Sequence, residues 1–172
     1  MDGADHMVAQ TSAPLTVERP NPMWSEQDPD AWWRATIEAV RALPEKERRA
    51  VKAIGLSGQM HGATLLDAQD KPLRPAILWN DGRSEEECFE LERLEPHSRE
   101  ITGNLAMPGF TAPKLLWAKH HEPDIFGRTK SGLLPKDYVR LKMTGEKFSD
   151  MSDSAGTLWL DVAKRDWSDA ML

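Results

Sequence analysis

The sequence predicts an α/β domain, and three observations carry that reading. Short apolar runs of strand type occur at Val51–Leu56, Ala63–Leu66 and Ala76–Trp79, each bounded by Gly, Asn, Asp or Pro. Segments with apolar residues at helical spacing, and with clear start and stop signals, lie before, between and after them. No internal repeat, heptad seam or low-complexity tract points to a solenoid, a coiled coil or a disordered chain.

The elements follow in order. Met1 to His6 is short and polar and reads as a frayed end. Met7 to Val17 alternates loosely and predicts an edge strand bulged at Pro14. Glu18 to Gln27 carries Pro20 and Pro22 and reads as irregular. A first helix is capped by Asp28, with Pro29 at its first position and Asp30 at the positive end of its dipole. Trp33, Ile37 and Val40 predict its buried face, and Pro44 ends it. Glu47-Arg48-Arg49 reads as a solvated loop. Beyond a turn at Asp67–Pro75 and the Ala76–Trp79 strand, Asn80-Asp81-Gly82-Arg83 supplies turn chemistry. Ser84 and Glu87 have capping-box spacing for a second helix, whose apolar face is Cys88, Leu91 and Leu94. A third helix runs from Thr111 or Pro113 to about His121, with a short helical piece at Pro123–Phe126. A fourth opens at Pro135 and stops at Gly145, an αL cap. The remainder predicts a loop, a short strand around Leu158–Val162 and one more helix from Ser168.

Composition excludes several classes. The 172 residues suffice for one domain with a sizeable core, and 40% apolar with 29% charged residues is ordinary for a globular protein. A net charge of −6 and a pI near 5.4 argue against phosphate-backbone binding, so no nucleic-acid partner is expected. A single cysteine, Cys88, rules out an internal disulfide framework and reads as core. No run approaches eighteen apolar residues and no signal pattern opens the chain, so no membrane partner and a cytoplasmic location are expected. The adjacent pair His120-His121 would point about 100° apart on a helix, against a metal site. Asp150-x-Ser152-x-Ser154 is a poor calcium loop, since Ala155 stands where Gly is needed and Asp161 where a bidentate Glu is needed. Neither a P-loop, nor a G-x-G-x-x-G segment, nor a nucleophile elbow is present.

The stretch Val51 to Gly62 organises the chain. A strand-type run breaks at Ser57-Gly58 and delivers Gln59, Met60 and His61 before Gly62, with glycines on both sides that allow a sharp turn and close approach. In an open α/β sheet the crevice beyond the strand ends holds small ligands. One Gln, one Met and one His there suit a neutral, hydroxyl-rich ligand, although a satisfied turn histidine is the plainer reading of these residues alone.

Several segments carry a resemblance. Trp24-Ser25-Glu26-Gln27-Asp28-Pro29, Gly58-Gln59-Met60-His61-Gly62 and Leu78-Trp79-Asn80-Asp81-Gly82-Arg83 resemble the FGGY carbohydrate kinases. So do Gly109-Phe110-Thr111-Ala112-Pro113-Lys114-Leu115-Leu116-Trp117, Leu134-Pro135-Lys136-Asp137-Tyr138 and Ser149 to Thr157, in the family's order. The Gln-Met-His-Gly form is similar to members acting on the ketopentose D-xylulose. The resemblance implies an actin-like, ribonuclease-H-like kinase that moves the γ-phosphoryl of ATP, with magnesium, to a sugar hydroxyl, and that forms a homo-oligomer in some full enzymes. It implies sugar contact by Met60 and His61, with Gln59, Trp79, Asp81 and Arg83 as weaker candidates; Asp81 and Arg83 can equally brace the turn as an ion pair. It assigns no catalytic, nucleotide-binding or metal-binding residue to this chain. The family's Asp-x-Gly-Thr phosphate loop would precede Met7, and its general-base aspartate would follow Leu172. The expectation is therefore an incomplete first domain over residues 8–172 behind a frayed 1–7, inactive alone and marginally stable. Two alternatives are a non-catalytic sugar-binding module and a part of another pentulose or polyol kinase.

Overall fold

A computed structural model describes residues 6–172; of the expected frayed start, residues 1–5 lie outside the described residues. The central feature is a pair of short strands, β2 (Thr64–Leu66) and β3 (Ala76–Ile77), which an antiparallel bridge between Ala63 and Ile77 brings together. On its outer side β3 pairs antiparallel with β1 (Glu26–Gln27), and β2 pairs antiparallel with β4 (Ser131–Leu133). Successive strand residues face opposite ways, and β2 uses this to seed two cores. Leu66 packs with Trp32, Ala76, Leu78, Tyr138 and Leu141. Leu65 packs with Ala63, Ile77, Trp117 and Ala118. The ribbon thus lies between α1 (Pro29–Ala42) with α7 (Pro135–Thr144) on one side and α5 (Thr111–His121) on the other.

The local signals place these helices as expected. Asp28 caps α1 by accepting from the Asp30 N–H at 2.9 Å, and Pro29 occupies the first turn. Gly145 ends α7 with φ of 76°. The Tyr138 hydroxyl donates to Asp30 at 2.6 Å and its ring meets Trp32 edge-on at 6.4 Å, fastening α7 to α1.

Elsewhere tertiary context changes the expected pattern. Trp32, not Trp33, is the buried tryptophan of α1, because its indole N–H reaches Gln27 Oε1 at 2.9 Å, while Val40 is exposed. Glu45–Ala50 is a short exposed helix, α2, rather than a loop. Met7–Val17 forms no strand. Val51–Leu56 pairs with no strand among the described residues, and Val51 and Ile54 are exposed; a strand needs a ladder partner for its backbone groups. Ser84 does not close a capping box: its hydroxyl donates to the Pro108 carbonyl at 3.3 Å, and Glu87 is buried beside His120 and His121. Cys88 is buried in α3 (Glu85–Leu94) as expected, but Leu94 is exposed. Further short helices are α4 (Ser98–Thr102), α6 (Pro123–Arg128) and α8 (Met151–Ser154). The chain closes with a hairpin of β5 (Leu160–Asp161) and β6 (Asp166–Trp167) and then a turn, not a helix, from Ser168.

Candidate functional site

His61 is the centre of a γ-turn. The Gly62 N–H donates to the Met60 carbonyl at 2.8 Å, and His61 itself has φ of +62°. This class of turn is rare and strained for a residue with a Cβ, and strain of this kind, about 1–3 kcal/mol, persists only where surrounding groups fix it. Three sets of neighbours do so. Immediately after the turn, Gly62 lies against α7, where a Cβ would stand 2.6 Å from Pro135 Cγ; the close approach that this glycine permits is to the protein itself. Below the turn, the Thr111 hydroxyl and the Lys114 ammonium both donate to the His61 carbonyl, at 3.1 and 2.9 Å. Around the ring, Phe110 meets the imidazole edge-on at 4.7 Å, and Gly156 leaves the space it occupies: a Cβ there would stand 2.2 Å from His61 Cε1.

The imidazole is held toward its neutral form. Burial is the largest cause, Lys114 adds to it, and Asp153 and the Gly156 backbone oppose it. Nδ1 is buried without a hydrogen-bond partner of good geometry, although the Gly156 backbone is near enough to favour the charged ring. Met60 beside it is 43% exposed and offers a soft apolar surface. Gln59 faces inward, donating to Gln27 Oε1 at 3.0 Å, the same atom that receives the Trp32 indole.

Trp79 reaches the turn region from another direction. It is half exposed, and its carbonyl packs against Gly109, next to the Phe110 that touches His61. The Gly109-Phe110 segment thus touches both the Trp79 backbone and the His61 ring. Asp81 and Arg83 are bonded to each other and to the segment before α1. Arg83 donates to both Asp81 oxygens at 2.8 and 2.7 Å, pairs with Glu26 at 2.7 Å, and lies 3.6 Å over the Trp24 ring. Asp81 also accepts the Ser25 N–H at 2.6 Å. Both side chains are at most 1% exposed, an arrangement that fastens the Trp24–Gln27 segment to the turn after β3.

Residues not singled out in the sequence complete the surroundings. Lys114 is fully buried, and its ammonium also donates to the Gly109 carbonyl at 2.6 Å. Burial pulls it down to about 7, with Asp81 opposing and Arg83 assisting. Lys136, at the start of α7, pairs with Asp137, Asp150 and Asp153 at 2.7 to 2.9 Å. Burial would lower it, but these three carboxylates hold it well above the ordinary lysine range. Among the described residues no group of three or more His, Cys, Asp and Glu is placed to hold a metal ion. The largest cavity described, about 710 Å³, lies away from the turn, between α3, α5 and the C-terminal segment, with Leu115, Phe126, Trp159 and Leu172 in its walls.

The family profile described as the N-terminal domain of the FGGY family of carbohydrate kinases matches residues 1–172. The chain belongs to the FGGY carbohydrate kinases. Its FGGY relatives include the xylulose kinase of Escherichia coli, 65% identical over 96% of this chain and 34% of that protein, and that of Klebsiella pneumoniae, 62% identical over 96% and 35%. A solved xylulose kinase of Brucella ovis superposes with a TM-score of 0.97 at 56% identity, over 100% of this chain and 37% of the other. One from Rhodospirillum rubrum gives 0.91 at 29% identity, over 99% and 37%. The chain thus spans about a third of the length of the curated relatives it matches, and its fold is part of the actin-like, ribonuclease-H-like FGGY architecture. No helix among the described residues is long and apolar enough to cross a membrane.

Proposed function

We propose that these residues form the sugar-side part of a kinase that transfers the γ-phosphoryl of ATP to D-xylulose, giving D-xylulose 5-phosphate. The observation that supports it most is the Met60-His61 turn, a strained backbone held by three elements that presents one soft apolar and one polar group side by side. Met60 covers an apolar face of the sugar. His61, neutral at pH 7, hydrogen-bonds a hydroxyl through its ring. Trp79 supplies a further wall, and Gln59, Asp81 and Arg83 act behind it by bracing. The magnesium nucleotide is assigned to other parts of the whole kinase; the Lys136 ammonium, a cation that could otherwise meet phosphate, is already paired with three carboxylates. Phosphoryl transfer is mostly positioning and charge stabilisation by metal and phosphate-binding groups. The 172 residues by themselves accordingly bind sugar without turning over ATP. The homology to proteins named xylulose kinases favours D-xylulose over glycerol as the ligand.

Calorimetric titration of the chain with D-xylulose and glycerol, alongside a coupled assay for ADP, tests both parts. Heat with D-xylulose only, lost in His61→Ala, and no ADP are expected. Equal response to glycerol would overturn the substrate, and ADP release needing both sugar and ATP would overturn the assignment of turnover to other residues.

A further inference from the structure

Lys114 is a buried side chain that sugar contact does not use. Its ammonium lies where two separate pieces of the site meet, donating to the His61 carbonyl at 2.9 Å and to the Gly109 carbonyl at 2.6 Å. The first piece is the γ-turn, whose conformation a residue with a Cβ adopts only under restraint. The second is the segment that carries Phe110 against the His61 ring and Gly109 against the Trp79 carbonyl. The Thr111 hydroxyl, from the first turn of α5, is the only other side-chain donor described on the His61 carbonyl. The Lys114 Nζ ties two segments together where the Thr111 hydroxyl reaches one, so it is the larger of the two restraints.

We infer that Lys114 is a positioning residue for His61: by fixing the carbonyls of His61 and Gly109 together it holds the strained turn and sets the imidazole against Phe110 and Gly156. A lysine suits this place better than a hydroxyl, since its Nζ carries at least two donors in either protonation state and can join two carbonyls from different segments. Asp81 and Arg83, from the turn after β3, are the charged groups whose fields reach Lys114, with opposite effects. Their pairing with each other leaves the ammonium to the two carbonyls. The consequence for sugar binding rests on the proposed function, whereas the effect on the ring does not.

The test replaces Lys114 with Met, of similar length and without donors, in the whole 172-residue chain. Two readouts are taken: the nuclear Overhauser contact between the His61 Hε1 proton and the Gly156 Hα protons, and the dissociation constant for D-xylulose. Loss of the contact, with unchanged amide shifts in the β5–β6 hairpin and about tenfold weaker sugar binding, is expected. Retention of the contact in a folded Lys114→Met chain would overturn the inference. If that variant does not fold, Lys114→Gln, one bond shorter and uncharged, is expected to weaken the contact because it no longer joins both carbonyls; an unaltered contact there would overturn the inference. Failure of the unaltered chain to bind D-xylulose, with the contact present and lost in Lys114→Met, would refute the sugar reading and leave the clamp supported.

Discussion

Removing Arg83 separates its bracing role from a sugar-binding one. In Arg83→Met, Asp81 keeps two backbone donors, the N–H of Ser25 at 2.6 Å and of Arg83 at 3.0 Å, but loses both guanidinium bonds. Glu26 keeps its ion pair with Arg74. One buried carboxylate is therefore left without a directly bonded cation, and Trp24 loses the guanidinium stacked 3.6 Å above it. Breaking a buried ion pair by removing one partner costs about 3–5 kcal/mol. In a domain of this size each kcal/mol lowers the melting temperature by about 2–4 °C, so a fall of roughly 6–20 °C is expected. Because neighbours in one network are not additive, the double variant Arg83→Met with Asp81→Asn should recover part of the loss. Calorimetric melting of the unaltered chain, Arg83→Met, Asp81→Asn and the double variant, with D-xylulose titrations below each transition, gives the result. A melting temperature within about 2 °C of the unaltered chain, together with abolished sugar binding, would show Arg83 to be a ligand and the bracing account to be wrong.

Three more outcomes follow from the same geometry. Gly156→Ala should displace the His61 ring, since the new Cβ would stand 2.2 Å from Cε1; overpacking of this kind costs about 1–3 kcal/mol, and a fall of several degrees in melting temperature with at least fivefold weaker D-xylulose binding is expected. Unchanged sugar affinity would refute it. Lys114 has a folded pKa near 7, below its ordinary 10.5, so between these values the unfolded chain holds the extra proton and stability rises with pH. The gain from pH 7 to pH 9 is about 2 kcal/mol relative to Lys114→Met, measured from urea midpoints and slopes; an equal pH slope in both chains would contradict it. Burial, with Glu87 and other nearby acids, pushes the Cys88 thiol up to about 12, so iodoacetamide should leave it unmodified at pH 8 until urea unfolds the chain. Rapid labelling of the native protein would contradict this.

Most signals that act between neighbours in sequence are legible in it, although the Ser84-Glu87 capping box does not form. Asp28 and Pro29 start α1 and Gly145 stops α7 because a cap acts within one helical turn, and the ordered motifs identify the FGGY family over the whole chain. Choices among similar residues were not local. Trp32 rather than Trp33 is buried because Gln27 receives its indole, and Val51–Leu56 has strand composition without a ladder. Asp81 and Arg83 read equally well from sequence as ligands or as a brace, because Glu26 and Trp24, which pair and stack with Arg83, lie far from it in the chain. Lys114 stood inside a recognised motif, but its partner carbonyl on His61 lies 53 positions away. The sequence therefore determined the longer helices, the family and the turn that carries Met60 and His61. Only the tertiary structure decided what holds that turn, because the restraint comes from a buried ammonium, a hydroxyl and a glycine contributed by segments far apart in the chain.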